Sequence, residues 1–208
     1  MTTSSGNVIK LPTPQTKGVM SLEEAIARRR SVRNFRNQTL SLSQLSQILW
    51  GAQGITEPGY GLRTVPSAGA TYPLELFVLI GRSGVDGMEA GLYHYEVLTH
   101  SLRQIKTEDQ RAALAAAALG QRPISQAPVT LIIGAVYQRT GQHYGQRAER
   151  YVAMEAGHIG QNVHLEAVAL GLATVMVGAF DDKRVASVLG LDKSIEPLYI
   201  MPLGWPMH

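Results

Sequence analysis

The 208-residue chain contains no cysteine. Disulfides, thiolate nucleophiles, iron–sulfur clusters and cysteine-based zinc sites are therefore excluded. Any redox chemistry must run on a bound organic cofactor, or on a metal held by His and carboxylates. Aromatic residues make up only 6% of the chain, and none forms a platform beside the arginine-rich stretch, which argues against a nucleic-acid module. The first twenty residues have no apolar h-region, so no signal peptide is expected and the cytoplasm is the default location. The apolar run from Ala167 to Phe180 is too short to span a bilayer and is interrupted by Gly171 and Gly178. No GxGxxG motif opens a dinucleotide-binding unit.

What is present suits one folded domain. Hydrophobic residues are 45% of the chain and charged residues 17%, enough apolar surface to bury a core and too little charge for disorder. The net charge of +3 is modest. Its kind matters more, because Arg outnumbers Lys and grips phosphate in a bidentate way. Pro12 and Pro14 make residues 1–20 an extended arm, and residues 21–208 read as a single domain.

Within it, Ser21 and Glu24 form a capping-box pattern that opens a helix to about Arg30. A second helix follows Ser41 and Ser43, with Leu45, Ile48, Leu49 and Ala52 on one side. Residues 57–73 are a Gly/Pro-rich loop. Leu74–Ile80 and Pro128–Val136 read as buried strands, and residues 91–95 with 101–105 as a hairpin. An Ala-rich helix covers Glu108–Leu119. A long helix is predicted from about Tyr144 to Leu170, with Val152, Ala156, Ile159, Val163 and Ala167 as its apolar stripe and Gly171 at its end. A strand over Ala173–Ala179, a helix over Asp181–Leu189 capped by Asp181, and a closing strand over Leu198–Leu203 complete the chain. Helices and strands do not alternate strictly, which favours α+β over a doubly wound sheet.

Three segments can carry chemistry. Arg28, Arg29, Arg30 and Arg33 surround Ser31, a set able to hold a phosphate dianion; the same cations could merely complement a helix C-terminus. Between Pro66 and Pro73 a run of small residues makes a rigid loop that a cofactor can approach closely, or a plain connector. The strand ending at Gly178 and Ala179 enters a helix at a corner where backbone amides can face a ligand, or where tight packing alone demands glycine. Glu155 and His158 stand one helical turn apart, but no third ligand has useful spacing, so no metal site is expected; His158 reads as a buried, hydrogen-bonded interface residue. His94, His100 and His164 show no convergent pattern.

Taken in order, Arg-Arg-Arg-Ser-Val-Arg-x-Phe, Pro-Ser-Ala-Gly-Ala-x-Tyr-Pro, Glu-Ala-Gly-His-x-x-Gln-Asn and Gly-Leu-Ala-Thr…Gly-Ala-Phe-Asp resemble the nitroreductase superfamily. The Pro-Ser-Ala-Gly-Ala and Glu-Ala-Gly-His segments are similar to its SagB-type dehydrogenase branch. The resemblance runs from about Ile9 to Pro206. It implies a mixed, mostly antiparallel sheet flanked by helices, an interwoven homodimer, and non-covalent FMN between the protomers. By position, Arg29, Arg30, Ser31 and Arg33 would hold the FMN phosphate. Pro66, Ser67, Ala68 and Gly69 would reach the flavin from the partner subunit, and Gly178 and Ala179 would lie near N5. The long helix would be the dimer helix.

The implied activity is ping-pong hydride transfer. Either NAD(P)H reduces a nitroaromatic or quinone through the flavin, or a heterocycle in a small molecule or peptide is dehydrogenated. A non-catalytic flavin carrier is the reading from another class. Two departures stand out. Residues 204–208 contain no Lys or Arg to add to the phosphate grip. Where azoline oxidases of the branch carry Lys-Tyr before the long helix, this chain has His143-Tyr144, and His143 would be the base near neutral pH or simply a surface residue. Neither a nucleic-acid nor a membrane partner is expected.

Overall fold

The computed structural model describes residues 7–207. The first six residues of the expected arm, and His208 at the end of the expected domain, lie outside the described residues. The chain runs β1 (Val8–Lys10), α1 (Leu22–Arg28), α2 (Leu42–Gln53), β2 (Ile55–Glu57), β3 (Leu62–Arg63), β4 (Leu74–Ile80), β5 (Gly91–Glu96), β6 (Ser101–Lys106), α3 (Arg111–Ala117), α4 (Arg122–Gln126), β7 (Val129–Ala135), α5 (Tyr137–Tyr144), α6 (Ala148–Ala169), β8 (Ala173–Thr174), α7 (Asp182–Leu189) and β9 (Glu196–Gly204).

Seven strands form one sheet in the order β1-β6-β5-β4-β7-β9-β8, while β2 and β3 make a separate hairpin. Each paired ladder in the large sheet is antiparallel. Among the described residues, parallel contact occurs only as single bridges, such as Ser31 with Thr174. The strands β4 and β7 sit at the centre because nearly every residue in them is apolar and buried; strands covered on both faces read as continuous hydrophobic runs.

Helices cover both faces. On one, Ile48 and Leu49 of α2 and Val152, Ile159 and Val163 of α6 pack against Leu76, Val78, Leu131 and Ile133. On the other, Leu114 of α3, Ile124 of α4 and Val185 and Leu189 of α7 meet Phe77, Leu79, Ile132 and Ile200. Full burial of each such side chain stabilises by about 1.5–3 kcal/mol, so the stripe on α6 fixes that helix across the sheet.

Several local expectations need correction. The long helix does not begin at Tyr144. That residue ends α5, and the chain breaks at Gly145, with φ 54° and ψ −131°, before α6 starts at Ala148. Only a residue without Cβ adopts that conformation at little cost, so two helices stand where one was expected. The strand expected over Ala173–Ala179 pairs only at Ala173 and Thr174, with one further bridge from Val177 to Ile200. α1 stops at Arg28, leaving Arg29–Arg33 in extended chain. Ser21 does cap α1, accepting from the Glu24 N–H at 3.1 Å, but the Glu24 carboxylate pairs with Arg28 at 2.6 Å rather than closing the box. The complete capping box is on α2, between Ser41 and Gln44.

Candidate functional site

The arginine segment leaves α1 and is pinned beside the sheet by the Val32 N–H donating to the Thr174 carbonyl at 3.0 Å. Its cations divide into two kinds. Arg28 is paired with Glu24. Arg30 turns back on the helix end and donates to the carbonyls of Ala27 at 3.0 Å and Arg29 at 2.7 Å. Arg29 and Arg33 enter no ion pair or hydrogen bond through their side chains among the described residues, and both stand near the exposed Ser31. Two uncommitted guanidinium groups and a hydroxyl are a donor set for a dianion. Arg30, expected in that set, is instead used by the chain itself.

His164 of α6 lies beside Arg29. It is 4% exposed and its Nδ1 has no partner among the described residues. Burial, helped by the Arg29 charge, pushes its imidazole down to about 4, so it is neutral at pH 7. Sequence reasoning missed it, because a lone His in an apolar stripe looks like any core residue.

Pro66, Ser67, Ala68 and Gly69 occupy a loop in a demanding conformation. Gly69, Ala70 and Tyr72 have φ of 60°, 51° and 43°, all left-handed. The Tyr72 N–H donates to Ser67 Oγ at 2.9 Å, and the Thr71 and Thr140 hydroxyls share a hydrogen bond of 2.8 Å. Arg139 of α5 donates to the Tyr72 carbonyl at 2.9 Å and pairs with Glu75. Arg63 lies over the Tyr72 ring, 4.1 Å from its centroid. The N–H groups of Ser67, Ala68 and Gly69 donate to nothing among the described residues.

Tyr144 backs this loop. A Cβ on Gly69 would stand 2.9 Å from its hydroxyl. Its ring meets Tyr151 edge-on at 5.1 Å, and 37% of the residue is exposed. His143 is exposed, with its ring 6.4 Å from that of Tyr144. The structure thus brings Tyr144 to the Pro66–Gly69 loop and leaves His143 at the rim.

Beneath the loop is a group the sequence considered only as a metal ligand. Glu155 of α6 is 2% exposed. Burial pushes its carboxyl up, opposed by the nearby Ser67 hydroxyl, Arg63 and Gln53. Among the described residues no three His, Asp or Glu side chains converge on a metal position. The signal was a carboxylate set among Val152, Ala156 and Ile159 of the apolar stripe. His158, expected to be buried, is exposed on this chain.

Gly178 and Ala179 are exposed at the end of the β8 segment. Ala179 accepts from Gln121 Nε2 at 2.9 Å, and neither of their amides donates within the described chain. A Cβ on Gly178 would touch the Tyr199 ring at 3.4 Å. Within one chain these groups are not all gathered. His164 beside Arg29 and Glu155 beside Ser67 are nine residues apart on α6, about 13 Å along the helix axis.

No helix among the described residues is long and apolar enough to cross a membrane. The family model described as the nitroreductase family matches residues 26–205. A protein of Methanocaldococcus jannaschii that bears the nitroreductase name is 45% identical over 199 residues, 96% of this chain and 98% of its own. Among solved structures, a Ralstonia eutropha protein of the same designation superposes with a TM-score of 0.85 at 28% identity, covering 100% of this chain and 93% of that one. The Escherichia coli microcin synthetase complex, with a truncated pro-microcin bound, contains a chain matched at TM-score 0.78 and 25% identity, over 93% of this chain and 76% of that one. With this fold and these motifs in place along nearly its whole length, the chain belongs to the nitroreductase family and is an oxidoreductase.

Proposed function

We propose that this oxidoreductase is an FMN enzyme of the SagB-type branch that works as a homodimer. The observation that carries the reading is the uncommitted pair Arg29 and Arg33 beside the Ser31 hydroxyl, a grip for the dianionic end of the cofactor. The N–H groups of Ser67, Ala68 and Gly69, and those of Gly178 and Ala179, which find no acceptor among the described residues, suit the polar edge of its ring. When bound, the flavin takes up a hydride from one substrate and passes it to another.

The chain's own residues do the rest. Arg29 and Arg33 bind, and the left-handed loop presents its amides without a side chain in the way at Gly69. Tyr144 offers a hydroxyl proton behind that loop. The exposed face of α6, with Arg150, Ala153, Met154, Gly157, His158 and Gln161, is the dimer surface in this reading; a Cβ on Gly157 would meet nothing within 4 Å on the single chain. NAD(P)H is the electron donor and a quinone or nitroaromatic the acceptor.

A second reading, oxidation of an azoline in a peptide, is favoured by the likeness to the microcin synthetase chain and by the His143-Tyr144 pair. There His143 takes the proton as the substrate loses hydride.

The test is spectroscopic. The purified protein, supplied with FMN, should show bound-flavin absorption that bleaches anaerobically with NADH or NADPH and returns with a quinone. Bleaching by an azoline peptide, and not by nicotinamide, would select the second reading. A protein that takes up no flavin contradicts both.

A further inference from the structure

We propose that Glu155 is a positioning residue, the buried acceptor on which the Ser67–Tyr72 loop and, through it, Tyr144 are set. Its consequence for catalysis rests on the reading above; its effect on the loop does not.

The polarity of the network points one way. Arg63 Nη1 donates to Gln53 Oε1 at 2.7 Å. With its oxygen so used, Gln53 has only its amino group, which lacks a partner among the described residues, to turn toward the neighbouring Glu155. Ser67 Oγ accepts the Tyr72 N–H, so its own proton is free for the same carboxyl, beside which it stands. Arg63 adds its charge nearby while its plane covers the Tyr72 ring. Donors from α2 and the loop, with the Arg63 charge nearby, therefore stand beside one buried carboxyl whose Oε1 has no partner among the described residues. Among ionisable neighbours, the Arg63 charge acts on Glu155, and Tyr72, Glu75 and Arg139 act in turn on Arg63.

The loop needs such a base. Ala70 and Tyr72 hold left-handed conformations that residues bearing a Cβ adopt only when their surroundings fix them. From outside, Thr140 and Arg139 of α5 hold Thr71 and Tyr72. From beneath, the Ser67 hydroxyl stands beside Glu155, and Arg63 covers the Tyr72 ring. The same loop carries Gly69, against which the Tyr144 hydroxyl lies. A carboxyl kept buried against its solvation preference is what a positional role would require.

The experiment is amide hydrogen exchange at Ser67–Tyr72 in wild type, E155Q, S67A and the double variant, first in the protein as purified and then with FMN added. Glutamine places an amino group among the donors, so E155Q is expected to speed exchange at the Tyr72 amide about tenfold or more. S67A should do the same by removing its acceptor, and the double variant should be no faster than either single one. Global unfolding midpoints should move far less than the loop. If E155Q lowers overall stability so much that the comparison fails, Glu155→Asp, which withdraws the acceptor but keeps a carboxyl, should produce an intermediate acceleration. Wild-type exchange in E155Q or Glu155→Asp, or additive effects in the double variant, would overturn the proposal. The visible band of added FMN is read in the same samples and should differ in shape between wild type and E155Q. Wild type that binds no FMN would sink the functional reading, while the exchange result would still decide the role of Glu155.

Discussion

Arg29 and Arg33 differ from their neighbours in having no side-chain partner among the described residues. Arg28 and Arg30 are engaged with Glu24 and with helix-end carbonyls, so alanine there should change flavin binding little. A charge-assisted hydrogen bond contributes about 1.5–3 kcal/mol, so Arg29→Ala with Arg33→Ala should weaken FMN binding by about a hundredfold or more. Retention of flavin through dialysis measures this. Riboflavin, which lacks the phosphate, should be indifferent to the same pair.

His164 gives a pH signature. Its imidazole is held down to about 4 by burial, whereas unfolded His titrates near 6.5. Between those values the unfolded chain binds a proton that the folded chain refuses, so stability is complete above about pH 6.5 and falls as pH drops toward 4. The loss is on the order of 3 kcal/mol at most. Urea unfolding midpoints at about pH 7 and about pH 4.5 should differ more for wild type than for His164→Gln. Equal differences would show that His164 is not the group responsible. His143 tests differently. His143→Ala should slow an azoline oxidation that needs proton removal and leave quinone reduction unchanged.

Among the elements, the break between α5 and α6 has the largest mechanical consequence. Gly145, at φ 54° and ψ −131°, lets Tyr144 end one helix while α6 starts at Ala148. An alanine there must adopt a backbone region that is essentially glycine's own, which costs about 1–3 kcal/mol. Gly145→Ala should therefore lower the denaturant midpoint, and it should disturb the Tyr144 ring, visible in near-ultraviolet circular dichroism. At this break, local sequence signals no longer determine the structure. The stripe Val152, Ala156, Ile159, Val163, Ala167 announced α6, and the apolar runs announced β4 and β7, because periodicity and burial are local signals. That Gly145 would take a left-handed turn is set by how α5 packs, and no local pattern encodes it. β8 proved shorter than its apolar sequence, because past Thr174 the chain leaves β9 and touches it again only at Val177. At the site, the arginines and the Pro66–Gly69 loop were legible as motifs. Glu155 and His164 were not, since their chemistry arises from tertiary neighbours.

The whole molecule raises the question of what unites groups that one chain keeps apart. Arg29 and Ser67 are served by two stations on α6 separated by about 13 Å along the helix. In the proposed dimer, the exposed α6 face, with room beside Gly157, is the surface on which a second copy would complete the site. Gly157→Arg should therefore yield a folded monomer in sedimentation that has lost flavin, with circular dichroism close to wild type. A dimer that persists, or a monomer that keeps its flavin, would remove the reason for a shared site. The most direct measurement is the absorption spectrum of the pure protein after incubation with FMN and gel filtration. Flavin bands that travel with the protein and bleach with a reductant are expected. A colourless protein, with all of the flavin eluting free, would contradict the cofactor assignment from which the rest is built.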